Sequence, residues 1–127
     1  MTYEEVIKRI NQKINKAGML KKDIAKEVQI SPSSLNTILK GRSCYLYLFM
    51  DILDEVGLEL MLNDEIPIKS HQDLVDSLSS IDCTRRELSD KTKISAGTIS
   101  SFINGDNVQV AKAFIIMDAM GVEVRVV

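Results

Sequence analysis

Set against itself at a shift of 64 positions, the 127-residue sequence aligns without a gap, and the coinciding residues are those with least freedom in a folded chain. Ile30-Ser31 recurs as Ile94-Ser95, Gly41 as Gly105, Ile52 as Ile116, Asp54 as Asp118, Gly57 as Gly121 and Glu59 as Glu123. Similar types recur between them: Ile24 with Leu88, Ala25 with Ser89, Ser34 with Thr98, Leu35 with Ile99, Ile38 with Phe102, Leu39 with Ile103 and Leu53 with Met117. Matches confined to apolar, capping and turn positions are the pattern of a diverged structural duplication. A solenoid needs three or more shorter units, so two copies make a pair rather than an array. Units near 60 residues are marginal alone, and the copies are expected to support each other.

The punctuation of the helices is legible in both copies. Thr2 with Glu5 forms a capping box, and Val6, Ile7, Ile10 and Ile14 follow at helical spacing until Gly18. Lys21 to Val28 read as a short second helix with Ile24, Ala25 and Val28 inward, and Gln29-Ile30 as a turn. Ser31-Pro32, a capping serine before a proline at the first helical position, opens a third helix that runs to Lys40 and stops at Gly41. Ser43 is expected to cap a fourth helix through Val56, closed by Gly57. In the second copy Ser70 with Asp73, Thr84 with Glu87, Ser95 and Asn107 open the four helices, and Gly105 ends the third.

After each closing glycine the apolar positions alternate, as Leu58-Glu59-Leu60-Met61-Leu62 and Val122-Glu123-Val124-Arg125-Val126, the signature of half-buried strands. An antiparallel pairing of these strands about Leu60 and Val124 would set Glu59 opposite Arg125 and leave the aliphatic residues on the buried side. Asn63 to Lys69, with Pro67 inside it, reads as a short tether. The organisation expected is a first unit over 1–63, a linker over 64–69 and a second unit over 70–127. Tyr45, Leu48, Phe49 and Ile52, with Phe114, Ile115 and Met117, are at helical spacing and are expected to fill the core and the seam between copies. Tyr47 is compatible with exposure, and His71, the only histidine, is expected to be solvated in a first helical turn.

Composition narrows the function classes. Hydrophobic residues make up 45% and charged residues 27% of the chain, and no apolar run exceeds Tyr45 to Met50, far below the ~18 residues a membrane span needs. The start Met1-Thr2-Tyr3-Glu4-Glu5 is acidic, unlike a signal peptide, and a cytoplasmic location is expected. Cys44 and Cys83 are not equivalent positions and are read as thiols rather than a disulfide or a ligand pair. There is no phosphate-binding glycine loop, no histidine beside a nucleophile and no metal-ligand spacing, so no enzyme activity, metal or cofactor is expected.

Two short helices about a tight turn, the first with Ala or Ser near its middle and the second opened by serine and ended by glycine, resemble the helix-turn-helix of the Xre/Cro type, the lambda-repressor-like family. The resemblance is carried by Lys22-Asp23-Ile24-Ala25 through Ile30-Ser31 with Leu35 to Gly41. It recurs in Arg86-Glu87-Leu88-Ser89 through Ile94-Ser95 with Thr98-Ile99-Ser100 through Asn104-Gly105. It covers nearly the whole chain, twice. It implies an all-α fold with a small β-ribbon, built of two tandem helix-turn-helix repeats. In antitoxin-type repressors of this family a trailing strand joins two subunits. Both such strands lie in one polypeptide here, which implies a covalent pseudo-dimer if they pair with each other, and a dimer or tetramer if each pairs with another chain.

The resemblance further implies a sequence-specific regulator of transcription that binds double-stranded DNA, a repressor acting by promoter occlusion. The second helix of such a motif lies in the major groove with its N-terminal residues toward base edges. Carried over by position, base contacts fall on Pro32, Ser33, Asn36 and Thr37, with Asn36 suited to a bidentate pair with adenine, and Ser34 is a further DNA contact. Phosphate contacts fall on Lys21, Lys22, Lys40 and Arg42. In the second copy Ala96, Gly97, Ser100 and Ser101 occupy the reading positions beside Thr98, and none makes a bidentate contact. Arg85, Arg86, Asn104 and Asn107 can still hold phosphates there, whereas Asp106 replaces Arg42 and repels them. Residues 1–64 carry nine basic and nine acidic side chains and residues 65–127 seven and nine, for a net charge of −2. That balance favours a local basic face over a basic domain. It also keeps open a reading of another class, a protein-binding helix-turn-helix module such as an antitoxin or anti-repressor, with a toxin or a repressor as partner. Self-association into a homo-oligomer is compatible with either reading.

Overall fold

A computed structural model describes residues 1–63, 66–79, 81 and 83–127. The elements run α1 (Tyr3–Ala17), α2 (Lys21–Glu27), α3 (Pro32–Leu39), α4 (Leu46–Glu55), β1 (Leu60–Leu62), β2 (Ile66–Ile68), α5 (His71–Ser79), α6 (Arg85–Thr92), α7 (Ala96–Ile103), α8 (Val110–Ala119) and β3 (Val124–Val126). The chain is mostly helical, with one small antiparallel sheet. No helix among the described residues is long and apolar enough to cross a membrane.

From α2 onward the halves repeat at the 64-residue offset: α3, α4 and β1 recur with both boundaries as α7, α8 and β3. The left-handed turn residues recur too, Gln29 (φ 61°) with Lys93 (φ 62°) between the second and third helices, and Gly57 with Gly121 at φ 77°. Gln29 and Lys93 share a backbone conformation without sharing a residue type. The halves differ at their first helix, 15 residues in α1 against 9 in α5.

The expected caps are present at most helix starts. Thr2 Oγ1 accepts from the Glu5 N–H (3.2 Å) while Glu5 accepts from the Thr2 N–H (3.1 Å), and Gly18 ends α1 in the left-handed region. Ser31, Ser95, Thr84 and Ser70 accept from the N–H groups of Ser34, Thr98, Glu87 and Asp73. The hydrogen bonds from Thr2 hold the Glu5 carboxyl below its ordinary pKa. A depressed carboxylate contributes stability above its unfolded pKa and loses it as pH falls through the folded value. Thr2→Ala removes the Oγ1 that caps the Glu5 N–H and is expected to cost ~1 kcal/mol. Urea unfolding of both proteins checks it.

The fourth helices correct the sequence reading. Neither Ser43 nor Asn107 caps its own helix: α4 and α8 start after Tyr45 and Gln109, which make no side-chain cap. Instead Ser43 Oγ accepts from the Ala111 N–H in α8 (3.3 Å) and donates to Gln109 (2.9 Å). Asn107 Oδ1 accepts from the Tyr47 N–H in α4 (3.0 Å). Ser43 and Asn107 are equivalent positions, as are Ala111 and Tyr47, so each half caps the other's helix. The reason lies in the backbone beside them. Tyr45 and Gln109, also equivalent, form an antiparallel bridge in which Leu46 N donates to Val108 O and Val110 N to Cys44 O, both at 2.7 Å. Each helix start thus faces the loop of the opposite half.

The sheet has the order β2-β1-β3, with both pairings antiparallel. β1 and β3 pair within the chain, but one residue away from the expected centre: Met61 lies opposite Arg125, Leu60 opposite Val126 and Leu62 opposite Val124. Glu59 accordingly faces Val127, exchanging bonds of 2.8 and 2.9 Å, and not Arg125. Asn63 sets this register. In the left-handed region at φ 53°, it donates through its N–H to Glu123 O (2.8 Å) and accepts from Glu123 N through its side chain (2.9 Å), closing the ladder. Leu58, Leu60, Leu62, Val122, Val124 and Val126 are all buried as expected, because a shift of centre by one residue in both strands preserves the face.

Part of the segment read as a tether forms β2, and residues 64 and 65 of it lie outside the described residues. The bonds of Glu59 and Asn63 to β3 leave Leu60 and Leu62 to bond Ile68 and Ile66, since backbone groups alternate sides along a strand. Pro67 then lies where its missing N–H faces away from β1. Proline is tolerated there and blunts that edge of the sheet.

Among the described residues no polar or charged side chain is buried, and the aliphatic and aromatic residues of both halves form one core. Tyr45 and Ile115, expected inside, are 55% and 49% exposed. Tyr45 precedes α4 in extended backbone, and α8 is apolar nearly all round, so spacing does not select which face turns inward. Leu48 is half-buried, whereas Phe49, Ile52, Phe114 and Met117 are buried as expected. The cysteines are unpaired: Cys44 is buried, with its thiol pushed up to about 11 by burial, and Cys83 is half-buried. Iodoacetamide at neutral pH is expected to label Cys83 well before Cys44 in the native protein, as read by peptide mass spectrometry.

Candidate nucleic-acid interface

In the first half the turn between α2 and α3 is held by backbone bonds, Ile30 N to Ala25 O (3.0 Å) and Val28 N to Ile24 O (3.0 Å), over the buried Ile24 and Ala25. In the second half Ser89 stands where Ala25 does, and its hydroxyl donates to Ile94 O (2.7 Å). Thr92 Oγ1 donates to Leu88 O and accepts from Ile94 N. Both turns are therefore tied, by different chemistry, into the same shape.

Along α3 the exposed positions Ser33, Asn36 and Lys40 follow one another at helical spacing, with Pro32 exposed at the helix start. Lys21 and Lys22 are exposed in the first turn of α2, and Arg42 just beyond α3. These residues leave a guanidinium, three ammonium groups, an amide and a hydroxyl open to solvent around one short helix. Two contact positions are more committed. Ser34 Oγ accepts from Ser31 Oγ (2.9 Å) as part of the cap, and Thr37, half-buried, donates its hydroxyl to Ser33 O (2.9 Å), leaving it an acceptor.

The equivalent face in the second half is poorer. Arg85, Arg86 and Asn104 are exposed, but Ser100 and Ser101 are half-buried and Gly97 offers no side chain. Thr98, like Ser34, belongs to a cap, accepting from Ser95 Oγ (2.9 Å). Asp106 is exposed at the position of Arg42.

Several residues set the pose of α3 and α7 in roles that the sequence does not announce. Asn11 Nδ2 donates to Leu39 O (2.9 Å) as well as to Ile7 O (3.1 Å), fastening the end of α3 to α1. Tyr3 Oη donates to Arg42 O (2.9 Å), and burial holds its phenol above the ordinary pKa. Tyr47, half-buried, does the corresponding service in the second half by donating to Gly105 O. His71, exposed as expected, also stacks on the Tyr47 ring at 4.5 Å. The available signal was a polar residue, Asn11, directly beside the apolar stripe of α1. The tyrosines left none, because their partners are backbone carbonyls.

No group of three or more His, Cys, Asp or Glu side chains able to hold a metal ion occurs among the described residues. No known protein family, no curated protein and no solved structure matches the chain.

Proposed function

We propose that the chain is a covalent pseudo-dimer of two lambda-repressor-like helix-turn-helix units, and that it binds duplex DNA sequence-specifically to regulate transcription, as a repressor that occludes a promoter. One observation carries this reading. The halves are joined through contacts between equivalent positions, Tyr45 with Gln109 and Met61 with Arg125, the second of them between trailing strands of the kind that join two subunits in antitoxin-type repressors. Two-fold-related recognition helices read half-sites about one helical turn apart. Here α3 and α7 take that role, with Asn36 reading a base and Lys21, Lys22, Lys40 and Arg42 neutralising phosphates.

The test is retention of fragmented genomic DNA by the purified protein at several salt concentrations, followed by sequencing. Enrichment of a short site whose affinity falls steeply with salt is the expected result. No enrichment at low salt would replace it with the protein-binding reading, an antitoxin-like or anti-repressor module, and a copurifying protein would then be sought.

A further inference from the structure

The two edges of the sheet are treated differently. Glu59 and Asn63 bond residues 127 and 123, so residues 123, 125 and 127 turn their backbone groups toward β1, and Val124 and Val126 turn theirs outward. Among the described residues no strand pairs with that outer edge, and no proline blunts it. Beside it lies a cleft of about 850 Å³ between β3, α8 and the start of α1. Its apolar wall includes Phe114 and the half-exposed Ile115, and its charged side chains are Glu4, Glu5, Asp118 and Glu123, with no lysine or arginine. Two cations lie on this edge among the described residues, the Met1 ammonium, which donates to Val124 O at 2.7 Å, and the exposed Arg125 of β3 itself.

The other half of the molecule shows what fits such a place. Met50, Asp54 and Glu59, the counterparts of Phe114, Asp118 and Glu123, line a cleft of about 320 Å³ beside β1. That cleft is bounded by the chain's own Ile68 and Lys69, an aliphatic strand residue followed by a base among the same acids. We infer that the outer edge of β3 takes an extended peptide segment of a partner protein as a fourth strand, with aliphatic residues at alternate positions and lysine or arginine between or beside them. Backbone bonds to the Val124 N–H and to Val126 supply the pairing, the Val124 carbonyl being held by Met1, while the aliphatic side chains lie on Phe114 and Ile115 and the bases meet the four carboxylates. A second copy of this chain fits less well: an antiparallel β3–β3 contact that pairs Val124 with Val124 sets Arg125 opposite Glu123, but β3 carries no further lysine or arginine for Glu4, Glu5 and Asp118. The inference does not rest on the DNA-binding reading.

The experiment uses the whole protein and a short fluorescent peptide of alternating lysine and valine, read by anisotropy, with an alternating glutamate–valine peptide as control. Saturable binding of the basic peptide, accompanied by amide shifts at Val124 and Val126, is expected. Ile115→Lys and Glu123→Lys, both at exposed positions, should each weaken it about tenfold. Val126→Pro removes an outward N–H without touching the ladder to β1 and should abolish it. Should that variant unfold, the two exposed substitutions still decide. Equal binding of the acidic peptide, affinity unchanged in the lysine variants, or no saturable binding would overturn the inference. Concentration-dependent dimerisation abolished by the same substitutions would overturn it in favour of a second copy.

Discussion

Phe49→Ala is expected to lower the stability of the whole chain by ~3–5 kcal/mol, the range for removing a large side chain from a packed core. Phe49 is 1% exposed, and its ring sits 6.0 Å from Phe114 in an edge-on arrangement and 5.6 Å from Tyr3. Tyr3 in turn lies 5.6 Å from Phe114, so three rings from α1, α4 and α8 close a cluster across the seam. Such ring pairs contribute ~0.5–1.5 kcal/mol beyond buried area, and Phe49 makes two of them. A domain stable by ~5–15 kcal/mol has little reserve against that loss. The melting temperature should fall by roughly 10–20 °C in a single transition, with both halves unfolding together. Hydrogen exchange by half is the decisive reading: faster exchange confined to residues of the first half, with α6 and α7 unaffected, would mean that the halves are stabilised separately. Ile115→Ala, at an exposed site on the neighbouring helix, should shift stability by no more than ~0.5 kcal/mol.

The contrast between those two residues shows where sequence was informative. Caps at Thr2, Ser31, Thr84 and Ser95 were legible because a side chain and its partner lie three residues apart, and no distant group is needed to satisfy them. The 64-residue offset carried nearly every later boundary for the same reason, since each turn repeats its own local geometry. Ser43 and Asn107 carry the same cap chemistry but serve partners 68 and 60 residues away. Only the crossing at Tyr45 and Gln109 brings those partners within reach. The strand register likewise depended on Asn63 adopting a left-handed conformation, while alternation alone fixes the face and not the centre. For the candidate interface, exposure followed from helical spacing at Ser33, Asn36 and Lys40. The supports at Asn11, Tyr3 and Tyr47 depend on contacts with backbone carbonyls, to which residue type gives no address.

On the proposed DNA reading the two half-sites are expected to be recognised unequally, and the inequality should be measurable by substitution. Replacing Lys40 and Arg42 together with alanine removes two phosphate contacts and should weaken binding to all sequences alike. The slope of log affinity against log salt should fall by about 1.8. Asn36→Ala should instead relax preference at one base pair, by ~1–3 kcal/mol, and leave the salt slope unchanged. Alanine at Gly97, Ser100 or Ser101 should have no effect of that size, because Gly97 has no side chain to lose and the serines are half-buried. Asp106→Arg separates the two halves most sharply. Asp106 is exposed at the position equivalent to Arg42, so the change exchanges phosphate repulsion for attraction without entering the core. Its expected result is tighter binding and a salt slope steeper by about 0.9. A slope that stays flat in Asp106→Arg and falls in the Lys40, Arg42 double variant would show that only α3 docks on DNA, leaving the second half as a brace that holds the first in its fold.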